Sequence, residues 1–200
     1  TEFKVASQNM VVILFPGKRL VYEYGGFDGA LSSVSTYLQN GFRFSKTTYE
    51  PKGTTNETRV RKIEQFNVDE TVKTTTNYTY VGLDDIRSGD WGKLDFTEEV
   101  KGADGPRKNK VDYDGGAGVP QGRERVQNIT VYKESGSARF YNWYIYTQDL
   151  SKDLDIVQQY KNPEFDAQGN FLEPVLDEQG NFLSGSKLQT ETYYSGIQSR

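Results

Sequence analysis

The side chains best equipped for acid–base chemistry in this sequence are its neighbouring carboxylates: Asp84 with Asp85, Glu98 with Glu99, and Asp112 with Asp114. Glycoside hydrolysis, for example, needs two carboxyls about 5–9.5 Å apart across a sugar-binding cleft. Nothing in the sequence places these pairs around such a cleft, and among 28 acidic residues adjacency arises by chance. The chain has no cysteine and no histidine. That removes thiol nucleophiles, disulfides, Cys- or His-ligated metals, Ser-His-Asp machinery and histidine bases together. The remaining carboxylates, Tyr, Lys and Ser form no catalytic pattern. The expectation is a protein that is not an enzyme, with no cofactor and no metal.

Three short motifs come to little. Asp112-Tyr-Asp114-Gly-Gly begins like a calcium loop but lacks the later ligands and the closing Glu. Glu99-x-Lys101 matches the tail of a metal-nuclease pattern, a three-residue match too common to weigh. Gly115-Gly-Ala-Gly118 has no strand before it and no helix after it, so it reads as a hinge rather than a phosphate loop. The cations cluster only locally, as Arg59, Arg61, Lys62 and as Arg107, Lys108, Lys110, in a chain of net charge -4. A nucleic-acid binder would carry a basic face, so no direct sequence-specific nucleic-acid binding is expected.

The elements that would position any site read as strands. Tyr (14) and Phe (11) dominate the apolar residues, and Thr is abundant; all three favour β-structure. Met10 to Phe15 is a continuous apolar run, broken by Pro16-Gly17, and Leu20 to Tyr24 resumes as the second arm of a hairpin. Leu31, Val34 and Leu38 fall at helical spacing between Asp28, a potential N-cap, and Gly41, a potential C-cap. They predict one short α-helix over 29–40. Strands are expected over 42–49, 58–66 and 71–81. Arg125 to Lys133 and Ala138 to Thr147 predict a second hairpin, turned at Glu134-Ser-Gly-Ser137. The glycine-rich stretch 82–122 predicts a long irregular loop with Trp91 as a local anchor or an interface hot spot. Buried positions should include Val11, Ile13, Phe15, Leu31, Val34, Leu38, Phe42, Phe44, Ile129, Val131 and Trp143.

The C-terminal region holds an internal repeat. Asp166-Ala-Gln-Gly-Asn-Phe-Leu172 recurs as Asp177-Glu-Gln-Gly-Asn-Phe-Leu183. Each copy supplies turn residues followed by an apolar stub, predicting a short β-arm before a final strand from Leu188 to Tyr194. The fold class is therefore mainly β: an antiparallel sandwich or barrel with one short helix, a long irregular loop (82–122) and a C-terminal β-arm. The core domain spans 1–160, and the arm with its final strand spans 161–200.

Phe171, Leu172, Phe182 and Leu183 are too apolar for a free arm, and eighteen residues folded on themselves cannot bury them. With Trp91 they are the candidate interface residues. They must pack either on their own domain or on a neighbour, and the neighbour is the reading preferred here. The function expected is a non-enzymatic structural or assembly subunit, a homo-oligomer such as a virion or phage tail-tube component, joined through loop and arm. The alternative is a β-barrel or sandwich that binds a small molecule or glycan through Tyr78, Tyr80, Tyr141, Trp143 and Tyr146. No apolar run is long enough for a membrane helix, so no membrane insertion is expected. Without a visible signal peptide the chain reads as cytoplasmic or built into a virion, and as secreted if a signal was removed.

Overall fold

The computed structural model describes residues 3–7, 9–25, 29–51, 58–81, 92–114, 124–147 and 154–194. Thirteen strands form one antiparallel sheet in which chain neighbours are sheet neighbours: β1 (Phe3–Ser7), β2 (Met10–Phe15), β3 (Lys18–Tyr24), β4 (Leu31–Leu38), β5 (Arg43–Pro51), β6 (Thr58–Phe66), β7 (Val72–Tyr80), β8 (Leu94–Lys101), β9 (Arg107–Asp114), β10 (Arg125–Tyr132), β11 (Ala138–Tyr146), β12 (Leu154–Lys161) and, after an excursion, β15 (Leu188–Tyr193). The excursion carries the two-stranded β13 (Val175–Leu176) and β14 (Phe182–Ser184). The protein is mainly β and antiparallel, as composition predicts. The sheet is not closed into a barrel: β1 pairs only with β2, and β15 only with β12.

No α-helix occurs among the described residues, and the expected one over 29–40 is replaced by β4. Leu31, Val34 and Leu38 satisfy helical spacing, but Ser32, Ser33, Ser35 and Thr36 between them are poor helix formers. Strands β3 and β5 hydrogen-bond β4 on both sides, and that pairing decides the matter. Asp28, the expected cap, lies outside the described residues. The stretch 82–122 is not an irregular loop throughout, because β8 and β9 run through its middle. Their apolar alternation is hidden by charges that pair between the strands, Glu98 with Arg107 and Glu99 with Lys108.

A single layer buries few large side chains. Among the described residues the buried apolar ones are Ala30, Phe66, Val100, Tyr141 and Tyr160, while Ser33, Ser35, Thr75 and Thr130 are deeper than all of these but Tyr160. One cross-sheet row shows why. Ser35 pairs with Lys46, Lys46 with Glu64, Glu64 with Thr75 and Thr75 with Val100, so small hydroxyl residues sit beside long charged ones that cover them. Thr75 is 1% exposed, and its Oγ1 donates to the carbonyl of Gly102 at 2.7 Å.

Of the residues expected in the core, Phe15, Leu38 and Phe44 are exposed, and the others, from Val11 and Ile13 to Val131 and Trp143, are half-buried. Phe44 (48% exposed) is displaced by a register shift: Thr36 pairs with Ser45 and Tyr37 with Arg43, so Phe44 is the extra residue. Such shifts recur along the sheet, often directly before an aromatic residue, as at Phe66, Tyr80, Tyr132, Tyr146 and Tyr160. Each extra residue bends its strand and increases the local twist.

Candidate interaction surface

Five arginines stack on aromatic rings by one rule: the arginine is the first or second residue of a strand, and the ring belongs to the last or next-to-last residue of the following strand. The pairs are Arg19 with Tyr37, Arg43 with Phe66, Arg59 with Tyr80, Arg107 with Tyr132 and Arg125 with Tyr146, at 4.1–5.0 Å from guanidinium carbon to ring centre. In an antiparallel hairpin the start of one strand lies beside the end of the next, so the rule follows from topology. Three of the arginines also meet a carboxylate from the preceding strand. Arg59 meets Glu50 at 2.8 Å, Arg125 meets Asp114 at 3.1 Å, and Arg107 meets Glu98. Each set is an acid–arginine–tyrosine bridge across three strands.

These bridges account for two of the four described carboxylate candidates, Glu98 and Asp114. Glu98 and Glu99 are successive strand residues, so their side chains leave opposite faces of the sheet. Glu98 binds Arg107, while Glu99 accepts from Lys108 and from the amide of Asn109 at 2.9 Å. Burial would raise the Glu99 pKa, but those two hydrogen bonds outweigh it and hold the carboxyl below its usual value. Asp112 meets Lys110 at 2.6 Å, and Asp114 meets Arg125. Every one has a cation of its own and no pair converges, so chemically the arrangement ties strands together. Asp84 and Asp85 lie outside the described residues, as do Gly115–Gly118 and Trp91. Among the described residues no group of three or more acidic side chains is placed to hold a metal ion.

The expected ligand-facing aromatics are divided between two structures. Tyr80 and Tyr146 belong to the bridges. Each hydroxyl donates at 2.7 Å to a backbone carbonyl, of Val60 and Val126 respectively. Burial pushes Tyr80 up to about 12 against the opposing pull of Arg59, and it raises Tyr146 and Tyr78 as well. Tyr141 and Trp143, on β11, instead receive the C-terminal arm. The Phe171 ring stacks on Tyr141 with centroids 4.1 Å apart and planes 10° apart, and it lies edge-on to Tyr160 at 4.8 Å and to Trp143 at 6.4 Å. Tyr141 is left 8% exposed, and its pKa is pushed up to about 12, first by burial and then by the negative charge of Asp112.

The arm rises from this clasp. Leu172 N donates to Glu164 O, Ser186 N donates to Leu172 O, and the Ser186 hydroxyl, itself buried, accepts from Glu164 N at 2.8 Å. Gly185 closes the base at φ +85, where a β-carbon would stand 2.1 Å from the carbonyl oxygen of Glu173. The two repeats build the same turn. The carboxylate of Asp166 accepts from the backbone of Gln168 and Asn170 and from the Asn170 amide; Asp177 does the same with Gln179 and Asn181. Gly169 and Gly180 supply the positive φ at matching positions. The identical turns deliver different outcomes: Phe171 is clasped against the sheet, whereas Phe182 points outward. With Leu172, Val175, Leu176 (54% exposed) and Leu183 (61%), Phe182 forms an exposed apolar surface on the arm. Of the four arm residues expected at an interface, Phe171 therefore packs on its own sheet and the other three do not.

The arginine–aromatic rule escaped the sequence reading, which noted Arg59 and Arg107 only as members of two local basic clusters. A signal existed, since each arginine opens a strand and each ring closes the next, but it requires the strand ends to be known.

No family model matches the chain, and no curated protein is similar to it. Among solved structures, a porin-like protein from Bacteroides uniformis matches over 96% of this chain and 76% of its own, with a TM-score of 0.42 and 8% identity. A protein of unknown function from Bacteroides fragilis matches over 90% of this chain and 94% of its own, with a TM-score of 0.22 and 12% identity.

Proposed function

We propose that this chain is a non-enzymatic structural component that self-associates through its C-terminal arm. The observation that supports this reading is the contrast within the arm. Its base is fixed by the Phe171 stack and the Ser186 hydrogen bonds, while Leu172, Val175, Leu176, Phe182 and Leu183 are held out in water. A floppy apolar segment would collapse on the nearest surface; a rigid one presenting five large apolar side chains is preorganised to bind. Since β8 and β9 occupy the middle of the segment read as a loop, the arm alone carries the proposal.

Two further features favour a water-facing assembly over the other readings. The ion pairs of Glu98 and Glu99 leave opposite faces of β8, so both faces carry charge at that strand. Four of the five aromatics that a small-molecule or glycan site would use are engaged internally, Tyr80 and Tyr146 by arginines and Tyr141 and Trp143 by Phe171. The test is sedimentation velocity on the full chain and on a Leu176→Glu, Leu183→Glu variant. Both positions are exposed, so the variant should keep its fold by circular dichroism and lose association. Association equal to that of the parent chain would reject the proposal.

A further inference from the structure

One end of the sheet carries a second surface that matches the arm in character and is opposite in charge. A groove of about 490 Å³ opens where β7 and β9 begin and where β8 and β10 end. Pro106, Val131 and the ring of Tyr132 give it an apolar lining, and Lys73, Lys101, Lys108 and Lys133 surround it. Lys101 meets Glu134 at 3.3 Å and Lys108 meets Glu99, while Lys73 and Lys133 form no ion pair with any described residue. The groove is thus a basic island in a chain of net charge -4. The arm has the complementary make-up. Glu173, Asp177 and Glu178 flank Val175, Leu176 and Phe182, and both turn aspartates are half-buried and held ionised by their asparagine partners.

Resting on the self-association reading above, we infer that the groove is the receptor for the arm of a second copy. Hairpin β13–β14 would lay the cross-strand pair Leu176 and Phe182 over Val131 and Tyr132, with Asp177 and Glu178 facing Lys73 and Lys133. Sheet direction makes this exchange reciprocal. The arm leaves the end of β12 and re-enters at the start of β15, the same end of the sheet at which the groove opens. Two copies meeting end to end about a two-fold axis can each insert an arm into the other, which closes the assembly at a dimer. Opposite charges steer the encounter and fix register, so association should weaken as salt rises.

The experiment is sedimentation velocity on the full-length chain and three variants: K73E/K133E in the groove, E178K on the arm, and L176E/L183E on the arm. The expected result is a dimer for the parent chain and at least a tenfold weaker association for each variant alone. Mixing K73E/K133E with E178K should restore dimers, because the reversed charges face each other again. If L176E/L183E abolishes association but K73E/K133E associates like the parent chain, the arm binds elsewhere and this inference fails alone. A parent chain that stays monomeric, or an L176E/L183E variant that associates unchanged, removes the self-association reading and this inference with it. All substituted side chains are at the surface, and unchanged circular dichroism spectra separate lost association from lost fold.

Discussion

Tyr80 donates its phenolic hydrogen to the carbonyl oxygen of Val60 at 2.7 Å, and the guanidinium of the preceding residue, Arg59, lies 4.3 Å from the centre of the same ring. Tyr146 repeats both contacts at the same distances with Val126 and Arg125. Two hairpins well apart in the sheet are thus closed by one device, with an acid on the preceding strand completing each.

Removing the hydroxyl tests that device. Tyr80→Phe and Tyr146→Phe should each cost about 1 kcal/mol of stability, the ordinary worth of one part-buried hydrogen bond. The double variant should lose the sum, because the two sites share no partner. Arg59→Ala should cost more, about 2–3 kcal/mol, since it takes away the stacked cation and strips Glu50 of its partner. Denaturant unfolding curves for the four variants decide it, and a neutral Tyr80→Phe would mean that the bond is not holding the hairpin.

Alkaline titration should separate the tyrosines. Tyr80 and Tyr141 are both pushed up to about 12 from an ordinary 10.0. A raised folded pKa means that the protonated form is favoured by folding. That stability is whole below pH 10.0 and is lost as pH climbs towards about 12. Tyrosinate absorbance should therefore rise first from other rings. Tyr80→Phe and Tyr141→Phe should each subtract only from the last-titrating fraction.

The turns of the repeat should loosen in acid. Asp166 and Asp177 are held below 3.8, foremost by the side-chain amides of Asn170 and Asn181 and next by their backbone N–H groups. With folded values depressed, the ionised turns are stable above 3.8 and come apart as pH falls through the lowered values. Amide resonances of Gly169 and Gly180 should report this transition, and Asp177→Ala should abolish it in the second turn while sparing the first.

Phe171→Ala should release the arm. The lost stack uncovers Tyr141, at a cost of about 2–3 kcal/mol, below the range for a fully buried phenylalanine because Phe171 is only half-buried. Proteolysis within 162–187 should accelerate beyond what that global loss predicts, since the arm opens as a local unit. An arm that stays protected would show that the Ser186 hydrogen bonds suffice to hold it.

How far the sequence reached can be seen strand by strand. The hairpins β2–β3 and β10–β11 were readable because apolar alternation and a turn coincide, as at Pro16-Gly17 and Ser135-Gly136. The repeat was readable because an Asp, a Gly and an Asn at fixed spacing make a turn with little outside help. Strand β4 was not, since Leu31, Val34 and Leu38 fit a helix as well as a strand and only the neighbours settle the choice. β8 and β9 were hidden for another reason: Glu98 and Arg107 look like loop residues until each is seen to neutralise the other. Trp143 was rightly placed on a strand but expected in a thick core, and a single sheet has none to offer.

Strand order has a last consequence, one of parity. Every contact in the sheet is antiparallel, so β1 and β15, the two ends of a thirteen-strand row, point the same way. Joining them edge to edge would demand a parallel ladder in an otherwise antiparallel sheet. The same counting governs how such a sheet can lengthen or shorten. Gain or loss of a single strand would reverse every strand after it and carry the arm to the opposite end. Gain or loss of a whole hairpin would leave all later directions intact. Because nearly all ladders join sequence neighbours, each hairpin is a local unit that can form before the next one docks. Length in this architecture is thus quantised in pairs of strands, and order can spread along it from neighbour to neighbour.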